Sequence, residues 1–375
     1  MRTPRTSIIM PVYNTANTVI NAIQSVRNQT DPNFELLIMI DGSPDNSADI
    51  ITDYHKKNPD TRIHIFNNPN NQGVSAVRNQ GLNAARGDWI TFIDSDDEYE
   101  PQFLERMHRA TDNADVIVCA HTMLDTVGKQ AKRLKGEPGI RTGEQAAYEL
   151  LQDQLSPYPW DKLICASLLE RVRFPANIHR AEDECLLLSC FLKAHAVTVL
   201  DDSLYRYTVA PGSLTWSRIT PVEETHRLIA YFEEALGERR SKPDAQKALT
   251  VARVLAFLNN AQQSLVVGGD SARETLRACR KGFTCAQALT ALHTNRIFGA
   301  AGILLKTSPR LYRALYGAYV RRKYGLNLIA NRAREDLCVP LVPASSCRST
   351  TPPTPSSTPY NPSETKQTPT LSSSS

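Results

Sequence analysis

The period of the hydrophobic positions changes along this chain, and each change marks a region. Over the first 120 residues, short continuous apolar runs alternate with stretches in which apolar residues recur every three or four positions. The runs at 7–12, 35–40, 62–66, 89–93 and 115–120 read as strands. The first two are continuous, as expected where helices cover both faces of a parallel sheet. Ala16, Val19, Ile20, Ile23 and Val26 fall on one helical face, and 74–85 reads as another helix. This order predicts an α/β fold, Rossmann-like, with a doubly wound and mostly parallel sheet. Ligands bind such sheets beyond the carboxyl ends of the strands.

The pattern is mixed from 143 to 204. A helix over 143–155 precedes the short segment Trp160-Asp161-Lys162-Leu163. A helix over 183–194 and strands at 196–200 and 204–209 follow. Beyond Pro221 the chain reads as helices, at 222–236, 244–267, 271–281 and 297–324, the last broken near Pro309. After Pro340, Ser, Thr and Pro dominate and cannot supply a core. The organisation expected is a domain over 1–215 (halves 1–120 and 121–215), a helical region over 216–338, and a disordered tail over 339–375.

The predicted strand ends carry the candidate chemistry. The first ends at Pro11-Val12-Tyr13-Asn14, the second at Asp41-Gly42-Ser43-Pro44-Asp45, the fourth at Asp94-Ser95-Asp96-Asp97. Carboxylates packed this tightly repel one another and have raised pKa values unless a cation sits between them. A divalent metal holding a phosphate is one such cation. An isolated acidic turn is more often a solvated strand end. Together with two polar strand ends on the same rim, this one describes a pocket.

Composition and charge narrow the setting. With 375 residues, 41% hydrophobic and 22% charged, the chain can bury a large core. The cysteines are scattered without a Cys-X-X-Cys pair, which points to reduced thiols in a cytosolic setting and not to a zinc site. No charged-then-apolar leader precedes Ile8, and the apolar run at 297–305 is far short of the roughly 20 residues a membrane span requires. The expected location is cytoplasmic, either free or peripheral at the inner face of the cell membrane. Net charge is +4, unevenly placed. The segment 303–334 carries Lys306, Arg310, Arg313, Arg321, Arg322, Lys323, Arg332 and Arg334 without an acid, interleaved with Leu311, Tyr312, Leu315, Tyr316 and Tyr319. It reads either as an interfacial segment for an anionic membrane surface or as a basic helix packed on its own domain. Nucleic acid is not expected, because the basic residues do not extend into the half that bears the motifs.

Four strings taken in order resemble the motifs of family-2 glycosyltransferases with the GT-A fold, of the bacterial cell-surface polysaccharide type. They are Ser7 to Asn14, Asp41 to Asp45, Asn71 to Asn79, and Asp94 to Asp97. Trp160 to Leu163, the Glu182-Asp183 pair, and Tyr205-Arg206-Tyr207 leading to Pro211-Gly212-Ser213 resemble the acceptor-side motifs of that family. The resemblance covers roughly the first 215 residues.

It implies an inverting transferase that moves a sugar from a nucleoside diphosphate sugar, a UDP-sugar above all, to a glycan or lipid-linked glycan. The pathway implied is capsule, lipopolysaccharide or exopolysaccharide synthesis. Donor contacts would fall on Pro11, Val12, Tyr13, Asn14, Asp41, Ser43, Gly73, Arg78, Asp94 and Ser95. Asp96, supported by Asp94, would hold Mg2+ or Mn2+, since hard oxygen ligands suit those ions. Asp97 has the weakest case and is expected to cap the next helix. Asp183 would be the base that takes the acceptor proton, and Trp160, Asp161, Lys162, Arg180 and Glu182 would meet the acceptor. Trp160 reads equally as a sugar platform or as a packing anchor. The segment 177–181 lacks the glycine of many relatives, which leaves the register of the base open. Two other classes stay in view. A nucleotidyltransferase would place a Gly-rich basic loop where Tyr13-Asn14-Thr15 stands. A non-catalytic sugar-nucleotide module would keep the donor pocket without a working base.

Overall fold

The computed structural model describes residues 3–124, 129–208, 219–266 and 269–324. Its first strands are Thr6–Val12 (β1), Phe34–Asp41 (β2), Ile63–Asn68 (β3) and Trp89–Phe92 (β4). Every residue of β2 is buried, and β1 is buried but for Pro11, as the continuous apolar runs predict. Val19–Arg27 (α1), Ser47–Lys57 (α2) and Val74–Ala84 (α3) connect them. All pairings here are parallel, in the order β3-β2-β1-β4. The chain winds outward from β1 to β3 and then returns to the other side of β1. The strand order reverses between β1 and β4, where a doubly wound sheet opens a crevice at its carboxyl edge. Helix α3 lies directly on β1 because position 81 is glycine. A Cβ there would meet Ile9 Cγ2 at 2.5 Å.

The next elements are Glu98–Tyr99 (β5), Phe103–His108 (α4), Val116–Leu124 (β6), Gln130–Arg133 (β7) and Gly139–Thr142 (β8). Gly143–Leu151 (α5), Lys162–Cys165 (β9), Glu182–Lys193 (α6) and Ala196–Thr208 (β10) complete this part. The sheet continues as β4-β9-β6-β10-β5. Strand β9 is antiparallel to both neighbours while β10 is parallel to β6, so the sheet is parallel in its first half and mixed in its second. Helix α5, expected to reach 155, ends at Leu151. The chain turns away through Asp153, whose φ is +59°. The two strands expected between 196 and 209 are one strand with a bulge. The polar residues Asp201 to Ser203 interrupt the apolar alternation, and the bulge absorbs them without ending the strand.

Helices follow: Val222–Leu236 (α7), Pro243–Val266 (α8), Gly269–Lys281 (α9), Cys285–Thr294 (α10) and Arg296–Thr307 (α11). Beyond Pro309 the chain makes the π-helical turn Tyr312–Tyr316 and the helix Gly317–Tyr324. Helix α8 joins two cores. Ala245, Ala248 and Ala252 pack into the main core with Leu228 and Phe232, while Val254, Phe257 and Leu258 build a second core with Phe283, Leu305 and Tyr312. Residues 1–327 form one compact unit, so the described helices share the body of the α/β domain. The expected turn Pro211-Gly212-Ser213, residues 325–334 of the basic segment and the tail lie outside the described residues.

Candidate active site

The carboxyl ends of β1, β2 and β4 form one rim. At the first, Tyr13 is 45% exposed and Asn14 takes a left-handed φ of +57°. Asp45, which sequence reasoning passed over, organises this turn. Its carboxylate accepts hydrogen bonds from Ser43 Oγ (2.7 Å), Ser47 Oγ (2.6 Å) and the Ala16 amide (2.9 Å). Ser43 Oγ in turn accepts from the Asn14 amide at 2.7 Å. Burial raises the Asp45 pKa, but these donors outweigh it and hold the carboxyl at about 2. Val12, expected among the donor contacts, is wholly buried, because strand alternation turns its side chain into the core. Only its backbone reaches the rim.

At the second strand end, Asp41 is 2% exposed and accepts from the amides of Gln72 (2.7 Å) and Gly73 (2.9 Å). It thereby anchors the loop that opens α3. Gly73 has φ +90° and open space where a Cβ would sit.

The acidic turn after β4 separates into distinct environments. Ser95, expected to face the donor, is 4% exposed; its hydroxyl and carbonyl accept from Thr15 Oγ1 and Thr18 Oγ1, both at 3.0 Å. Asp97 does not cap a helix. It is 1% exposed and accepts from Tyr205 Oη and the Thr208 amide, each at 2.8 Å, which binds the turn to β10. Tyr205 Oη also accepts from the Asp94 amide at 3.2 Å. Burial, then the charges of Asp94 and Asp96, push the Asp97 pKa well up. Burial and the charge of Asp94 raise Asp96 to about 6.

One guanidinium serves this cluster. Arg78, on α3, donates from Nη2 to Asp94 Oδ1 at 3.0 Å and from Nη1 to Asp183 Oδ1 at 2.7 Å, with Glu182 Oε1 3.9 Å away. Its side chain is 5% exposed and lies 5.4 Å from the centroid of the Phe174 ring. Burial opposes the charge of Arg78, but the facing carboxylates outweigh it and raise its pKa. The structure therefore brings Asp94 and Asp183 together through one shared cation, although 89 positions of chain separate them.

Asp183 sits in the first turn of α6, where the helix dipole favours acids. Burial nevertheless raises it to about 6, against the pull of Arg78. Burial and the neighbouring Asp183 raise Glu182 to about 8. Burial and Asp153 raise Glu184 to about 8. The residue before the helix, Ala181, has φ +67°. This is the left-handed conformation that glycine adopts freely, so alanine holds here the geometry for which a glycine was sought.

The expected acceptor residues Trp160, Asp161 and Lys162 do not reach the surface. Trp160 is 3% exposed and stacks against Tyr205 and Tyr158 at centroid separations of 4.2 and 4.8 Å. Tyr207 lies parallel to it at 5.7 Å. Those rings occupy the faces a sugar would need, so Trp160 is a packing anchor beneath the site. Lys162, fully buried, donates to Asp161 Oδ1 at 2.6 Å and to the Tyr158 carbonyl at 2.7 Å. Among the described residues, no three His, Cys, Asp or Glu side chains form a ready metal cage. The donor set at Asp94 and Asp96 is carboxylate oxygen in a half-buried, mutually repelling pair. That suits a hard divalent ion shared with a diphosphate, an arrangement in which one or two carboxylates suffice.

Residues 7–165 match the sequence model of glycosyl transferase family 2. A glycosyltransferase of Haemophilus influenzae is 34% identical over 197 residues, which cover 51% of this chain and 73% of that protein. The chain belongs to glycosyl transferase family 2. The putative glycosyltransferase EpsH of Bacillus subtilis is 34% identical over 225 residues, 57% of this chain and 63% of that protein, so the match spans less than two thirds of it. Among solved structures, S. aureus TarS 1–349 in complex with UDP-GlcNAc superposes with a TM-score of 0.61 at 20% identity. It covers 82% of this chain and 92% of the TarS chain, and supports the GT-A fold of the family.

Sequence reasoning in this family-2 chain quoted Asp45 and Tyr205 within motif strings without giving either a role, and missed Glu224. Glu224 is 5% exposed and accepts from the amides of His179 (2.8 Å) and Arg180 (3.0 Å). In sequence it is one of two acids opening α7, a pattern that helix ends favour on general grounds.

Proposed function

We propose that the chain is an inverting glycosyltransferase that moves a sugar from a nucleoside diphosphate donor to a glycan or lipid-linked glycan. The observation that carries this reading is the Asp183–Arg78–Asp94 network at the carboxyl rim. It places one basic carboxylate beside a turn suited to diphosphate. In this reading a single base, Asp183, takes the acceptor proton, which corresponds to direct displacement and inversion.

In this reading Tyr13, exposed at the end of β1, offers a ring face to the donor base. Pro11, the Val12 backbone, Asn14, Ser43 and the Asp41-anchored loop with Gly73 shape the nucleotide side. Asp96 and Asp94 are the residues that would hold Mg2+ or Mn2+. Such an ion neutralises charge that develops on the departing diphosphate. Arg78 keeps Asp94 and Asp183 in register and screens their repulsion. Asp183 takes the acceptor proton, and Arg180 and Glu182 border the acceptor. Trp160, Asp161 and Lys162 support the acceptor side from beneath. A UDP-sugar is the favoured donor, in keeping with the UDP-GlcNAc held by the TarS structure. The acceptor proposed is one in surface polysaccharide synthesis, the type of family-2 chain that the motif strings resemble.

The helical end suggests where the enzyme works. Leu311, Leu315 and Tyr319, at helical spacing, are 50%, 60% and 36% exposed, beside the exposed Arg310, Arg313 and Arg322. Tyr312, Tyr316 and Val320 turn inward. An apolar stripe flanked by cations fits the headgroup region of an anionic membrane, at the cytoplasmic face. No described helix is long and apolar enough to cross a membrane.

A panel of nucleotide sugars, followed by diphosphate release with and without Mg2+ or Mn2+, tests the activity. Turnover with at least one donor, abolished by Asp96→Ala and by Asp183→Ala, is expected. Full transfer by both variants would overturn the site, and donor binding without turnover on any acceptor would leave a non-catalytic module. Flotation with anionic vesicles at low salt tests the membrane face, and absence of binding removes it.

A further inference from the structure

Helix α7, the first of the helices that follow the sheet, grips the segment leading to the proposed base. Glu224 Oε1 accepts from the backbone amides of His179 at 2.8 Å and Arg180 at 3.0 Å. Its Oε2 lies 3.2 Å from His179 Nδ1. One turn along, Arg227 Nε donates to the Asn177 carbonyl at 3.1 Å. The segment 177–180 is thus held at both ends by side chains of one helix. Immediately beyond it stands Ala181 in its left-handed conformation, and then Glu182 and Asp183. A non-glycine residue keeps φ near +67° only where its surroundings over-determine it. A carboxylate left 5% exposed and facing two amides is such a constraint.

We propose that Glu224 is a positioning residue for Asp183: by fixing the 177–181 segment it holds the Asp183 carboxylate against Arg78, so that the helical region following the sheet sets the geometry of the base. This rests on the reading of Asp183 as the base. Without the anchor, Ala181 relaxes toward an ordinary backbone region and the start of α6 rotates. Asp183 then leaves Arg78 Nη1, to which it is now bonded at 2.7 Å. The groups that face Asp183 are Arg78 from α3, Asp94 after β4, Lys162 of β9 and the adjacent Glu182. Of these, Arg78 is the one whose loss the rotation entails.

The test uses the full chain with donor, metal and acceptor, and checks each variant for a cooperative melt. Glu224→Ala should lower kcat on the order of 100-fold, the scale of a displacement of about 1 Å at a reacting group. Donor KM should stay within about twofold, because the donor rim is untouched. Glu224→Gln should keep activity within about threefold, since one amide oxygen can accept both backbone N–H groups. Glu224→Asp, which withdraws the carboxylate by one methylene but keeps the charge, should fall between them and stay folded. The acid limb of the kcat profile should move to higher pH in Glu224→Ala, because Asp183 loses the cation that favours its ionised form. Adding Ala181→Gly to Glu224→Ala should recover about tenfold, since glycine enters the left-handed conformation without an anchor.

Unchanged kcat and acid limb in a folded Glu224→Ala or Glu224→Asp overturns the proposal. So does a loss that falls equally on donor KM. Asp183→Asn separates the two readings. If it remains active, the base and this proposal fail together; if it is inactive while Glu224→Asp is unimpaired, the proposal alone fails.

Discussion

Carboxylates largely withdrawn from water stand at both edges of the parallel sheet and behave in opposite ways. At the amino end, Glu35 of β2 is 2% exposed. It accepts from Ser7 Oγ (2.6 Å), the Arg86 amide (2.8 Å) and the Arg86 guanidinium (2.6 Å to Nη2). Burial raises its pKa, but the donors outweigh burial and hold it below the usual carboxylate value. At the carboxyl end, Asp94, Glu182 and Asp183 face Arg78 while Asp96 and Asp97 share the acidic turn, and Asp96, Asp97, Glu182 and Asp183 are raised. Burial is common to both places, so it does not explain the difference. The supply of donors does. Glu35 closes its own account, whereas the rim is left short of positive charge. A stable protein gains nothing from that deficit, and an incoming cation with a diphosphate removes it.

The sharpest way to break this contrast is to remove one acid from each end. Asp183→Asn should lower transfer kcat by about 100- to 10,000-fold, the range of general-base catalysis, with the fold retained. Glu35→Ala should leave kcat per folded molecule unchanged and reduce stability by about 2–3 kcal/mol, the worth of charge-assisted hydrogen bonds, as read from denaturant midpoints. Asp96→Asn should do the reverse of Glu35→Ala in the metal-free protein. It raises stability by roughly 1–2 kcal/mol at pH 7, because a repelling buried charge disappears, while it removes turnover. If Asp96→Asn instead destabilises, the rim is structural and the contrast fails.

The same contrast sets the pH response. Asp96 and Asp183 lie at about 6, and Glu182 and Glu184 at about 8, above their unfolded values of 3.8 and 4.5. Between those limits the folded state binds more protons than the unfolded one, so stability falls as pH rises from about 4 to 8, with Asp96 and Asp183 contributing up to about pH 6 and Glu182 and Glu184 up to about pH 8. The slope is at most about 1.4 kcal/mol per pH unit for each titrating group. The melting temperature of the metal-free protein should therefore drop between about pH 5 and 8, and Mg2+ with a nucleoside diphosphate should flatten the part of that drop below about pH 6, where Asp96 titrates. Glu35 and Asp45, held low, contribute stability that is lost only on acidification toward and below pH 4. The smallest effect belongs to Ala181→Gly. Relief of left-handed strain against the greater freedom of unfolded glycine should raise stability by about 1 kcal/mol or less.

How much could be read from the chain differs between these regions. The continuous runs in β1 and β2 announced a covered parallel sheet, and the rule that ligands meet strand ends pointed to Tyr13, Asp41 and Asp94 to Asp97. Ser95 was placed in the right neighbourhood but on the wrong side of the wall, and for Trp160 the chain left the platform and the packing anchor equally open. A tryptophan or serine beside a site looks the same in sequence whether it faces inward or outward. Tyr205 and Asp97 meet only because β10 folds back beside the acidic turn across 108 positions of chain. Glu224 was legible only as a helix-opening acid.

Local pattern determined the strands, the helices and the acid-rich ends, because burial periodicity and repulsion between neighbouring charges act over a few residues. Tertiary structure decided which acids are compensated. The cations and amides that compensate them, Arg86 for Glu35, Arg78 for Asp94 and Asp183, and the 179–180 backbone for Glu224, arrive from distant segments. A pKa is set by what lies within a few ångströms in space and not by what lies beside it in the chain.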